Sequence, residues 1–111
     1  MDVRYESVRM TTPLHRIDKF SVPAPAMDEF LARIQHIHEI LGRQPGIIRN
    51  DVISLVDGDS AYNVVTAVTW ESHESLRKAG SVVAADVAAT GFDRTEFLAR
   101  LGVTADYGTY A

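Results

Sequence analysis

The sequence predicts an α+β fold in which helices cover one face of an antiparallel sheet, and three observations support it. The length of 111 residues fits a single domain, which we place at residues 14–111 behind a flexible N-terminal arm at residues 1–13. Alternating apolar positions predict strands, and apolar positions spaced i, i+3, i+4 predict helices between them. The resulting order, β-α-β-β-α-(α)-β, is that of a ferredoxin-like split βαβ domain.

The first strand and first helix follow from residues 14–42. Residues 14–22 form a strand in which Asp18 and Phe20 share a face, because alternate side chains of a strand point the same way. Pro23 and Pro25 end this strand, and Pro25 suits the first turn of a helix. One face of that helix is apolar and comprises Met27, Phe30, Leu31, Ile34, His38 and Leu41.

The remaining elements are a hairpin, two helices and a last strand. Residues 47–56 and 61–70 predict two strands joined by a turn at residues 57–60, with Tyr62 and Trp70 on one face of the second strand. Ser72 is positioned to cap a helix that runs to residue 87, with a predicted break at residues 80–81. Asp93 and Glu96 predict the start of a short helix, and residues 103–110 form the last strand.

Composition excludes several classes of function. Fifteen acidic and eleven basic residues are scattered along a chain of net charge −4, which disfavours a nucleic-acid binder. The absence of cysteine excludes disulfides, thiolate catalysis, iron–sulfur clusters and Cys-based zinc sites. Dinucleotide, phosphate-loop, serine-hydrolase and zinc-protease motifs are missing. No apolar run is long enough to span a bilayer and the N-terminus is polar, so we expect a soluble, cytoplasmic protein.

Two residues stand out as candidates for chemistry. Burial of Asp18 without a partner would raise its pKa and prepare it for proton transfer, whereas Arg16 on the same face offers an ion pair instead. Trp70 is either the wall of a pocket or a filler of the core. His36 and His38 lie on different faces of the first helix and do not chelate one metal, so we expect no metal site.

The sheet face opposite the helices predicts self-association. It carries Ile17, Val65 and Ala67, and no further element of the chain is left to cover it. A half-apolar face of this kind is typical of a subunit interface. We therefore expect a homodimer.

Three segments resemble the antibiotic biosynthesis monooxygenase family in their order and spacing. They are DKFSV at residues 18–22 before a helix, RQPG at residues 43–46, and TWESH at residues 69–73 after a strand–hairpin–strand unit. The likeness covers residues 14–110. It implies a dimeric α+β barrel and the oxidation of a small polycyclic, anthrone-like aromatic by O₂ without metal, flavin or other cofactor.

The resemblance also implies site residues. Trp70 matches the tryptophan that walls the family's pocket, and Asp18 stands where these enzymes carry an asparagine. Because an ionised Asp cannot donate a hydrogen bond, Asp18 acts as a base, donates while protonated, or marks a loss of the chemistry. Independently of the resemblance, helical spacing and the strand faces of Asp18 and Trp70 predict the pocket lining, which is Phe20, Phe30, Ile34, His38 and Tyr62. The haem-degrading branch needs a histidine on the helix after the tryptophan, and residues 76–91 contain none.

Two other functions remain compatible with the residues. One is a non-redox isomerase or cyclase that uses Asp18 as its base. The other is a non-enzymatic module that binds a small molecule. A shared fold does not separate the three.

Overall fold

The computed structural model describes residues 12–111 as one four-stranded antiparallel sheet with three α-helices. Residues 1–11 of the expected arm lie outside the described residues. The strands are β1 (Leu14–Ser21), β2 (Ile47–Ser54), β3 (Val64–Trp70) and β4 (Thr104–Tyr110), in the spatial order β2-β3-β1-β4. The helices are α1 (Met27–Gly42), which follows a 3₁₀ turn at Ala24–Ala26, α2 (His73–Thr90) and α3 (Arg94–Leu101). The predicted ferredoxin-like α+β fold is confirmed.

The two central strands set the register of the candidate site. Asp18 of β1 lies opposite Thr66 of β3 on one side and Tyr107 of β4 on the other. Strand alternation places all three side chains on the face that the helices cover, as the sequence pattern predicted for Asp18.

Both predicted N-caps are present. The Ser72 hydroxyl accepts a hydrogen bond from the Ser75 N–H at 3.1 Å, and the Asp93 carboxylate accepts one from the Glu96 N–H at 3.1 Å. Such caps satisfy backbone donors that the first helical turn leaves free.

The predicted break at residues 80–81 is wrong, because α2 continues unbroken through Gly80. A glycine inside a helix costs only about 1 kcal/mol relative to alanine. Neighbouring Ala79 is buried against Val68 and Trp70 of the sheet, and this packing outweighs that cost.

The hairpin strands are shorter than predicted. β2 ends at Ser54 and β3 begins at Val64, so residues 55–63 form a loop rather than strand ends around a tight turn. The Asn63 side chain accepts a hydrogen bond from the Val22 N–H and donates one to the Val22 carbonyl, both at 2.8 Å. The Leu55 N–H donates to the Asn63 carbonyl at 2.9 Å. The base of the loop is thus held, while Val56 within it is 97% exposed.

The core consists of two clusters on the helix-covered side. The first is built on Phe20, Phe30 and Val64, and the second on Val68, Trp70 and Ala79. None of the helices in residues 12–111 is long and apolar enough to cross a membrane.

The other sheet face is left open by the described part of the chain. Ile17, Val65 and Ala67 are only half-buried there, and Ile53 and Tyr110 are more than half exposed. His15 Nδ1 lies 3.0 Å from the Thr69 hydroxyl on this face.

Candidate active site

A cavity of about 530 Å³ lies between the sheet and the helices. Its volume falls within the range of pockets that hold small organic ligands. Side chains of both core clusters line it. Six of its lining residues are aromatic: Phe20, Phe30, Trp70, Phe92, Phe97 and Tyr107.

Asp18 is the only carboxylate among the residues that line this cavity. Its Oδ1 accepts a hydrogen bond from Arg16 Nε at 2.8 Å, and its side chain is 18% exposed. Burial raises the pKa of Asp18 above its ordinary value, and this effect outweighs the opposing hydrogen bond and charge of Arg16. The backbone N–H of Gly108 and the charge of Arg94 lower the pKa less. Both alternatives left open by the sequence therefore hold at once: Asp18 is paired, and its proton affinity is still raised.

Trp70 is both a core residue and a part of the cavity wall. It is 2% exposed at the end of β3, between Leu14 of β1 and Ile47 of β2 in the register. Its ring packs with Val68 and Ala79 and borders the cavity. It is the only tryptophan of the chain.

Four of the five residues expected in the pocket do line the cavity. The rings of Phe20 and Phe30 pack with their centroids 5.0 Å apart, and Ile34 and His38 follow along α1. His38 Nδ1 is hydrogen-bonded to the side chain of Asn50, whose amide nitrogen donates to the His38 carbonyl at 2.9 Å.

The placement of Tyr62 in the pocket is wrong. Tyr62 precedes β3 and belongs to the loop at residues 55–63, where its N–H donates to the Ser60 hydroxyl at 3.1 Å. Because Asn63 is engaged with Val22 before the strand begins, the alternation of β3 does not extend back to Tyr62.

Sequence reasoning missed two arginines and a tyrosine of this cavity. The Arg33 guanidinium carbon lies 3.5 Å from the centroid of the Phe92 ring, and that of Arg94 lies 4.8 Å from the Tyr107 ring. Position i+3 from Phe30 was the available signal for Arg33. For Tyr107, the available signal was the side-chain alternation of the last strand.

No group of three or more potential metal-ligating side chains occurs within residues 12–111. The potential ligands are the side chains of His, Cys, Asp and Glu.

The chain is similar to solved structures of oxygenases. No family model matches it, and no curated protein matches it. A candidate monooxygenase from Shewanella loihica PV-4 shares 19% identity at a TM-score of 0.69, over 92% of this chain and 95% of that one. SnoaB, a cofactor-independent oxygenase from Streptomyces nogalater, shares 25% identity at a TM-score of 0.61, over 89% of this chain and 91% of its own.

Two further similar structures extend the comparison. A candidate antibiotic biosynthesis monooxygenase from Nitrosomonas europaea shares 15% identity at a TM-score of 0.64, over 92% of this chain and 91% of that one. A MhuD variant with bound manganese protoporphyrin IX shares 20% identity at a TM-score of 0.66, over 88% of this chain and 92% of that one.

The cavity wall formed by α2 does not fit an iron-ligating role. That helix turns toward the cavity only apolar or small side chains: Leu76, Ala79, Gly80, Val83, Ala84 and Val87. Haem iron in proteins is held by His, Cys, Met or Tyr side chains. None of these six α2 residues can therefore ligate haem iron.

Proposed function

The chain has the fold of the antibiotic biosynthesis monooxygenases, as the sequence resemblance predicted, and from this premise we propose that it is a cofactor-independent monooxygenase of small polycyclic, anthrone-like aromatics. A monooxygenase-like function is what the similar structures support. The observation that carries the finer proposal is Asp18, a carboxyl group of raised pKa inside an aromatic-lined cavity. The polycyclic substrate and O₂ are its expected reactants.

Asp18 is the proton acceptor in the proposed reaction. Its ionised carboxylate removes a proton from the methylene carbon of the substrate, and the resulting enolate supplies the electrons that reduce O₂. A C–O bond forms, the peroxide oxygen takes the proton back from Asp18, and loss of water leaves a carbonyl. One CH₂ group and one O₂ thus become one C=O group and one H₂O, with no external reductant.

The surroundings of Asp18 suit this task. Arg16 holds the carboxylate at 2.8 Å, which fixes its orientation toward a bound ring. An aromatic substrate that fills the cavity would displace water from its apolar walls, so a developing negative charge would be stabilised by fixed groups rather than by solvent. Trp70 and Phe30 contribute to binding and orientation of the substrate in this arrangement.

Substitution of Asp18 by asparagine tests the role of this base. Asp18→Asn keeps the size of the side chain and removes its proton-accepting oxygen, so turnover should fall by about 10²–10⁴-fold. The assay is O₂ consumption with an anthrone, together with the absorbance of the quinone product.

Asp51→Asn is a matched control. Arg49 Nε donates to Asp51 at 2.7 Å, which is the same i, i+2 strand pair, but Asp51 lies outside the cavity lining. Retained or increased activity of Asp18→Asn would contradict the base role. The substrate's own acidity, or a hydrogen bond from the new amide, would then carry the reaction.

A non-redox isomerase or cyclase is the second candidate, because the same buried carboxyl group moves a proton equally well without O₂. Turnover under strict anaerobiosis would select it over the oxygenase. Ligand binding without turnover under either atmosphere would leave a small-molecule binding module.

A homodimer completes the proposal. The open sheet face with Ile17, Val65 and Ala67 is half-apolar, and a second copy of the chain matches it by symmetry. Light scattering should give twice the chain mass of 12.2 kDa. A stable monomer at micromolar concentration would contradict it.

A cytoplasmic location is proposed on the cysteine-free composition, which suits a reducing compartment.

A further inference from the structure

Positive charge is concentrated at the cavity, although the chain as a whole has a net charge of −4. Arg16, Arg33 and Arg94 all line it, against Asp18 as the one carboxylate. Arg16 is paired with Asp18. Among residues 12–111, no carboxylate oxygen lies within salt-bridge distance of Arg33 or Arg94.

The Arg33 guanidinium is positioned by an aromatic ring, and one of its nitrogen atoms lacks a hydrogen-bond partner among residues 12–111. Its guanidinium stacks on the Phe92 ring at 3.5 Å, and stacking occupies the flat face of the group while its N–H bonds point outward in the plane. Nη2 is buried and has no hydrogen-bond partner in the described part of the chain. A buried donor without a partner is costly, so a ligand that supplies an acceptor recovers free energy at this position.

Arg94 adds a second cation at the same cavity. It begins α3, where the helix dipole disfavours positive charge. Its guanidinium carbon lies 4.8 Å from the centroid of the Tyr107 ring, and that of Arg16 lies 5.5 Å from the same centroid. Tyr107 thus joins Arg94 to the Arg16–Asp18 pair along one wall of the cavity.

We infer that the cavity binds an aromatic substrate that carries a carboxylate, and that Arg33, with Arg94 as the second cation, binds this group. The planar guanidinium matches the two oxygens of a carboxylate, which accept two parallel N–H bonds. The aromatic rings of the substrate then lie against the apolar walls. This inference rests on the proposed function, because it names the substrate class of the same cavity.

The test compares two probes that share one ring system and differ in a single group, which is a charged carboxylate in one and a neutral carboxamide in the other. Anthracene-2-carboxylate and anthracene-2-carboxamide are titrated into the protein, and quenching of Trp70 fluorescence reports occupancy because Trp70 is the only tryptophan and lines the cavity. The wild-type protein should bind the carboxylate more tightly. Arg33→Gln should weaken carboxylate binding by about 10- to 100-fold, the usual worth of hydrogen bonds to a charged group, and change carboxamide binding by less than about 2-fold.

Two further variants make the result specific. Arg33→Lys keeps the charge but loses the planar fork, so carboxylate affinity should fall between those of the wild type and Arg33→Gln. Arg77→Gln removes an exposed arginine of α2 that does not line the cavity, and it should bind both probes like the wild type.

Three outcomes overturn the inference. In the first, Arg33→Gln weakens the binding of both probes equally, which assigns Arg33 a structural role through Phe92. In the second, Arg33→Gln leaves the affinity for the carboxylate unchanged. In the third, the wild-type protein binds neither probe. O₂ consumption is measured separately. If the protein consumes no O₂ but still prefers the carboxylate probe, the oxygenase proposal fails and the anion subsite is retained. If it consumes O₂ but shows no preference for the carboxylate, only the anion subsite is refuted.

Discussion

Gly46 is the position where a single added methyl group should do the most local damage. It follows α1 with a φ of +88°, and its carbonyl accepts a hydrogen bond from the Glu71 N–H at 2.8 Å. A Cβ atom added here would lie 2.3 Å from Ser75 Oγ and 2.6 Å from Ser75 Cβ. Atoms that close must move apart. Gly46→Ala therefore strains the backbone and displaces the first turn of α2 together.

The expected cost of Gly46→Ala is the sum of two effects. The left-handed backbone costs a non-glycine residue about 1–2 kcal/mol. Displacement of Ser75 breaks the cap that its N–H makes with the Ser72 hydroxyl, and loss of a cap costs about 1 kcal/mol. The free energy of unfolding should thus fall by about 2–3 kcal/mol, measured by urea denaturation at constant m-value.

Ser75→Gly provides the matched background for this measurement, because it removes the two atoms closest to the new methyl group and leaves only Glu71 Cγ, at 3.1 Å. In that background Gly46→Ala should cost only the backbone share, about 1–2 kcal/mol. Equal costs in the two backgrounds would refute the contact argument. A cost near zero in both would refute the backbone argument as well.

Three other outcomes are expected. Gly80→Ala should raise the free energy of unfolding by about 0.5–1 kcal/mol, since its Cβ meets nothing within 4 Å in mid-helix; a loss in urea denaturation would contradict this. Because the pKa of Asp18 is raised on folding, the wild type should lose stability as pH rises from below 3.8 through that raised pKa. Asp18→Asn should lack this loss, so a difference in melting temperature that does not grow toward neutral pH would contradict the reasoning. Phe30→Ala should cost about 3–5 kcal/mol, because Phe30 is 1% exposed, and a cost below about 1 kcal/mol by denaturation would contradict its place in the core.

Local patterns predicted the parts of the site that depend on local geometry. The side-chain alternation of β1 placed Asp18 and Phe20 on the helix-covered face, and that of β3 placed Trp70 there. The helix caps at Ser72 and Asp93 could also be predicted from the sequence, because a cap joins residues that are only three positions apart. The order of the strands and helices along the chain was sufficient to predict the fold.

The features that sequence reasoning missed depend on contacts between distant segments. Tyr62 was misplaced because the start of β3 is fixed by Asn63 bonding to Val22, which lies 41 residues away. The stacking of Arg33 on Phe92 joins α1 to the segment before α3, and neither residue carries a local signal of the other. The balance at Asp18 between burial and Arg16 likewise requires the packed structure.

The loop at residues 55–63 is held at its base by hydrogen bonds, so its tip is a site where residues can be inserted. Asn63 and Leu55 close the loop with backbone and side-chain hydrogen bonds, and Gly58 at the tip has nothing within 4 Å of an added side chain. None of these loop residues lines the cavity. Doubling the length of a flexible loop costs only about 0.6 kcal/mol of closure entropy. A peptide tag or a small reporter domain inserted at Gly58 would therefore leave the register of β2 and β3, and with it the position of Trp70, as it is.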